Sequence, residues 1–150
     1  MEDIKQNIEL LISNIKILHQ KSIFSKNKVP KLVAVSKKQE AHKIDQAIVY
    51  GQKIFGENRV QEAINRWKKR IEINNDIELR LIGPLQTNKV KQALSLFDVI
   101  ETIDREKIAT EIAKNLHEKT KTNSFYIQVN TGNEPQKSGI DPLQADTFIN

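Results

Sequence analysis

Ile4, Ile8, Leu11, Ile15 and Leu18 recur at spacings of 4, 3, 4 and 3, with Lys, Glu, Asn and Gln between them. Positions three and four apart share one face of a helix, so this spacing predicts an amphipathic helix at the start of the chain. After a polar stretch from Lys21 to Pro30, Leu32-Val33-Ala34-Val35 is a short, β-branched run ended by Ser36-Lys37-Lys38. It predicts a buried strand that carries polar groups at its C-terminal end. From there the period alternates. Ile44, Ala47 and Ile48 predict a helix ending near Gly51, followed by a strand at 53–56. Val60, Ala63, Ile64 and Trp67 predict the next helix, with a strand at 78–82 behind it. Val90, Ala93, Leu94 and Phe97 predict another, followed by a strand at 98–103. Asp104 is expected to cap a long helix with Ile108, Ile112 and Leu116 in register, and a fifth strand is expected at 124–130.

Strands that alternate with helices in this rhythm imply a parallel sheet, because each crossover returns the chain to the same edge. Two architectures satisfy the pattern: an open sheet closed by a short C-terminal helix, or part of a (β/α)8 barrel, which takes about 250 residues. Asp141-Pro142 reads as a helix cap followed by proline at the first helical position, yet only eight residues remain after Pro142. The expectation is therefore an α/β, barrel-like parallel fold, one domain over 1–150, C-terminally truncated to about five βα units and preceded by a helix.

Composition narrows the classes. A chain of 150 residues with 38% hydrophobic and 29% charged residues has material for one core. The longest uncharged stretch, 122–133, contains Gln, Asn, Thr and Gly and is too short and too polar to span a bilayer. No apolar leader is visible at the N-terminus and there is no cysteine, so a cytoplasmic protein without disulfides or thiolate metal sites is expected. The net charge of +5 invites a nucleic-acid reading. The excess is lysine spread along the chain, however, and accompanies 21 Ile and 13 Asn, a joint bias that AT-rich coding DNA produces by itself. No nucleic-acid or membrane partner is expected.

Several chemistries are absent as motifs: G-x-G-x-x-G, the P-loop, G-x-S-x-G and H-E-x-x-H do not occur. His19, His42 and His117 are far apart in sequence and read as solvated surface residues rather than metal ligands. Arg66, Lys68, Lys69 and Arg70 around Trp67 read as an outer helix face over a core tryptophan. What remains lies at strand ends, where parallel βα folds gather their loops. Lys37 emerges from an apolar strand; partial desolvation there would free its amine to attack a carbonyl, the other reading being a plain surface lysine. Asn58, after Phe55-Gly56-Glu57, can cap the following helix or reach into a site. Ile82-Gly83-Pro84 sets the exit turn of the third strand, and 128–140 forms a polar loop after the fifth.

Four stretches carry a resemblance: Leu32-Val33-Ala34-Val35-Ser36-Lys37, Phe55-Gly56-Glu57-Asn58-Arg59-Val60-Gln61-Glu62, Ile82-Gly83-Pro84-Leu85-Gln86-Thr87-Asn88-Lys89 and Lys137-Ser138-Gly139-Ile140. In this order and spacing they closely resemble the pyridoxal phosphate homeostasis protein family, single-domain relatives of the alanine racemase barrel. The resemblance implies a (β/α)8 barrel that holds pyridoxal 5′-phosphate (PLP) as a Schiff base on Lys37. It places Asn58 beside the cofactor ring, with Ile82 and Gly83 bordering the pocket. Two departures stand out. Family members commonly have histidine where this chain has Arg80. The Ser- and Gly-rich loop and the Arg-Ile-Gly segment that grip the phosphate in the family do not occur in these 150 residues.

The function expected from the resemblance is a non-catalytic carrier or regulator in intracellular vitamin B6 homeostasis, with PLP and other B6 vitamers as partners. A complete protein is expected to be a monomer, and this chain to associate with a missing C-terminal fragment. One alternative is a PLP-dependent racemase, which needs an acid/base group on each face of the cofactor; Tyr50 and Tyr126 are the available tyrosines. The other is a truncated product without independent activity.

Overall fold

The computed structural model describes residues 3–149. Helix α1 (Ile4–Lys21) precedes strand β1 (Ala34–Val35), helix α2 (Ala41–Val49), β2 (Ile54–Glu57), α3 (Val60–Ile73) and β3 (Glu78–Leu81). A 3₁₀ turn (Thr87–Lys89) leads into α4 (Val90–Leu96), then β4 (Val99–Ile103), α5 (Glu106–Asn115) and β5 (Ser124–Ile127). A second 3₁₀ turn (Pro142–Gln144) and α6 (Ala145–Ile149) follow.

The five strands form one parallel sheet in the order β1-β2-β3-β4-β5. Sequential order with helical crossovers is the arrangement of a βα barrel, and it sends the C-terminal ends of all strands to one rim. The alternating burial of β3 shows how the sheet divides its faces. Leu79 and Leu81 are fully buried towards the helices, whereas Glu78 and Arg80, which alternate with them, are only partly covered. Phe55, Leu79, Leu81 and Ile100 from the strands pack with Ala63, Trp67, Val90, Ala93, Leu94, Phe97, Ile108 and Ile112 in one apolar cluster. Phe55 and Trp67 stack at 4.6 Å between ring centroids, tilted by 47°, and so fix α3 on β2.

Several boundaries differ from those expected, each for a local reason. The first strand is a two-residue edge whose Val35 is 46% exposed, because β1 has a partner on one side only. Asp104 does not cap α5. Arg105 holds that position, and Leu116 ends the helix exposed rather than continuing its buried stripe. The fifth strand stops at Ile127, after which Val129 makes an isolated parallel bridge to Ile140. Helix α1 forms as expected, capped by the Asp3 carboxylate, which accepts from the Gln6 N–H at 3.2 Å. Its apolar stripe is only partly covered: Ile4, Ile8 and Ile15 are half-buried, while Leu11 and Leu18 are exposed. Asp141 caps its turn as expected, accepting from the Leu143 N–H at 2.8 Å. Among the described residues no helix is long and apolar enough to cross a membrane.

Candidate functional site at the C-terminal rim of the sheet

Register builds the rim. Val35 pairs with Gly56, and one step further the Ser36 N–H donates to the Gly56 carbonyl at 3.0 Å. Glu57 pairs with Leu81, and one step further the Ile82 N–H donates to the Glu57 carbonyl at 2.9 Å. Ser36 and Glu57 are thus level; Asn58 follows Glu57 with Ile82 beside it, and Lys37 enters the turn that the Gln39 N–H closes on the Ser36 carbonyl. Three of the residues singled out from sequence, Lys37, Asn58 and Ile82, therefore lie just past the ends of three adjacent strands. Ile82 leans over Gly56, where an added Cβ would lie 2.9 Å from Ile82 Cδ1 and 3.3 Å from Val33 Cγ1, so only glycine leaves this apolar surface flat. Gly83 is buried, and its carbonyl accepts from the Thr102 hydroxyl at 2.8 Å.

Lys37 is exposed, so the partial desolvation expected of it is absent from this structure; it follows an edge strand whose last side chain is itself half in water. Neither Lys37 nor the half-buried Asn58 side chain has a hydrogen-bond or ion-pair partner among the described residues. Asn58 does not cap α3, which begins after Arg59 without a side-chain cap. Its amide is left available on the rim.

Directly behind these strand ends lies a feature that sequence reasoning missed. Glu57 is fully buried, facing the helix layer. Its Oε1 accepts from the Ser36 hydroxyl at 2.6 Å, from Trp67 Nε1–H at 2.9 Å and from an Arg66 guanidinium N–H at 2.9 Å, and its Oε2 accepts from Arg66 at 2.9 Å. Arg66 and Arg70, expected on an outer face, both turn back towards the protein; Arg70 pairs with Asp45 at 2.6 Å. Lys68 and Lys69 are exposed, as are His42 and His117. His19 is half-buried, its Nε2 3.1 Å from the Asn27 carbonyl oxygen.

On the non-helical face of the sheet, Arg80 bridges Glu78 and Glu101, at 2.6 and 2.8 Å. Partial burial works against the guanidinium charge, but the hydrogen bonds to Glu101 and Glu78 outweigh it and raise the pKa of Arg80. The cavity of about 340 Å³ that Glu78, Arg80 and Tyr126 line extends to the N-terminal ends of the strands, where Asn75, Asp76 and Ile77 also line it. Tyr50 ends α2 just before β2 begins, also at that end. Tyr126, the third residue of β5, is 53% exposed. The fourth motif lies past the C-terminal end of β5: Gly139, with φ of 130°, brings Lys137–Ile140 against 128–130, and the Gln128 side-chain amide donates to the Ser138 carbonyl at 2.8 Å.

A sequence profile described as alanine racemase, N-terminal domain, matches residues 7–150. The pyridoxal phosphate homeostasis protein of Vibrio cholerae serotype O1 is 39% identical over 150 residues, covering 99% of this chain and 63% of that protein. Two solved structures of PipY from Synechococcus elongatus PCC7942 superpose on 98% of this chain. The one without PLP does so with a TM-score of 0.81 at 30% identity, the one with PLP bound with 0.77 at 29%. They cover 63% and 62% of the PipY chain. The chain thus spans somewhat under two thirds of the length of these relatives.

Proposed function

Because the chain belongs to the family of the alanine racemase N-terminal domain, we propose that it binds PLP covalently on Lys37 and serves intracellular PLP homeostasis as a carrier or regulator, without catalytic turnover. The observation that supports this most is the position of Lys37, Asn58 and Ile82 just past the C-terminal ends of three adjacent strands. When bound, PLP supplies an aldehyde that condenses with a primary amine. The residues present suit that group. Lys37 offers an amine with no competing partner, Asn58 an amide free to donate and accept, and Ile82 over Gly56 a flat apolar surface for an aromatic ring. The resemblance to PipY, which has been solved with PLP bound, supports the same ligand.

The relatives are named for homeostasis rather than for a reaction. That naming supports binding over racemisation. We place the protein in the cytoplasm, with other B6 vitamers as further ligands. The phosphate would be held by a C-terminal segment associating with this chain, and the completed protein would be a monomer.

Titration of the chain with PLP tests the reading. The wild type is expected to develop a saturable visible absorbance band, and Lys37→Ala to lose it while its stability stays within about 0.5 kcal/mol, since Lys37 is exposed and unpaired. Equal absorbance in both proteins would overturn the assignment.

A further inference from the structure

Glu57 is the most deeply buried ionisable group of the site region, and binding of the ligand makes no direct use of it. It faces the helices, on the side opposite Gly56 and Ile82. A buried ion pair is weak evidence for stability, because packed apolar side chains of similar volume often serve as well. A carboxylate that takes four hydrogen bonds here therefore calls for another role, and its partners indicate which. We infer that Glu57 is a positioning residue that sets Lys37 and Asn58 at a fixed spacing; this rests on the reading of Lys37 as the PLP-binding amine.

The connection is short on both sides. Asn58 follows Glu57 in the chain. Lys37 follows Ser36, whose hydroxyl donates to Glu57 Oε1 at 2.6 Å and whose N–H is held by Gly56. Glu57 is the last residue of β2 and Ser36 the first after β1, so their hydrogen bond fixes the points from which Asn58 and Lys37 leave the sheet. The chain bends at once after Ser36, with Lys37 and Lys38 at the centre of the turn. Lys38 takes the left-handed conformation, with φ of 59°, and the Gln39 N–H donates to the Ser36 carbonyl at 3.1 Å. A lysine adopts that conformation only where the surroundings impose it. Lys37 thus sits in a tight turn that starts from a pinned serine, and its exposed side chain keeps a defined root. Arg66 and Trp67 hold the other side of the carboxylate, so the anchor belongs to α3 as well as to the two strands.

The test compares wild type, Ser36→Ala and Ser36→Thr of the 150-residue chain by two measurements. The first is backbone hydrogen exchange without ligand; the second is covalent capture of added PLP. Loss of one charge-assisted hydrogen bond is expected to speed exchange of the Ser36 and Gln39 amides about tenfold in Ser36→Ala and to weaken capture at Lys37 by a similar factor. Ser36→Thr, which keeps the hydroxyl, is expected to restore both, and exchange in the central strands should be unchanged throughout. Unaltered capture in a folded Ser36→Ala would overturn the inference while leaving the PLP reading intact. Absence of capture at Lys37 in the wild type would instead sink the reading on which it rests. Should the alanine variant not fold, Ser36→Cys, a near-isosteric and weaker donor, carries the same comparison.

Discussion

Gly83 lies so close to Asn58 that an added Cβ would sit 2.3 Å from the Asn58 carbonyl oxygen and 2.7 Å from the Asn58 Cβ. The ends of β2 and β3 therefore touch through a residue without a side chain. Gly83→Ala must push the Asn58 backbone away, and a cost of about 1–3 kcal/mol in urea unfolding is expected, as for other overpacked sites. PLP capture should weaken together with it. A variant as stable as the wild type would show that the loop yields freely.

Arg66→Met leaves the buried Glu57 carboxylate facing Ser36 and Trp67 alone. Stranding a buried charge costs about 3–5 kcal/mol, so this substitution should be among the most damaging in α3. Lys68→Met, two positions along and exposed, should change stability by about 0.5 kcal/mol or less. Denaturant melts followed by the fluorescence of Trp67, which donates to the same carboxylate, separate the two. Similar losses from both variants would contradict the network.

Removing Arg80 brings Glu78 and Glu101 together without their shared cation. With side chains 16–30% exposed, Arg80→Met should cost about 1–3 kcal/mol, between the values for surface and buried pairs. Adding Glu101→Gln should recover part of the loss, because it relieves the repulsion the first change creates. Strict additivity of the two changes in a double-mutant cycle would exclude that coupling.

The Lys53 ammonium hydrogen-bonds to Asp76 at 2.8 Å and holds its carboxyl below the usual carboxylate range. A depressed pKa in the folded state contributes stability that is present above the unfolded pKa and lost as pH falls through the folded one. The stability difference between wild type and Asp76→Asn should therefore be small at neutral pH and vanish in acid. A difference that grows on acidification would reverse the sign.

The strand rhythm and rim were legible because both depend on neighbours in sequence. The apolar run before Ser36 and the Ile-Gly-Pro exit at Ile82 mark strand ends by local chemistry alone, whereas Gly56, which reads as a turn residue, lies inside β2. Glu57 was not legible in this way. A carboxylate after Phe55-Gly56 reads as a polar turn, and its burial arises from Arg66 and Trp67, nine and ten residues later on the next helix. The available signal was an Arg-Trp pair on the helix following an acidic strand end. The exposure of Lys37 was hidden for a related reason: an apolar run announces a strand but not whether that strand lies at an edge. Leu116 likewise keeps helical spacing with Ile112 yet falls beyond the end of α5, where no layer covers it.

Borohydride reduction after incubation with PLP, followed by digestion and mass mapping, addresses Lys37 among the 19 lysines of the chain. The adduct is predicted to concentrate on the peptide that contains Lys37, and to leave its neighbour Lys38 and the exposed Lys68 and Lys69 at background. An adduct spread evenly over the exposed lysines would contradict the account.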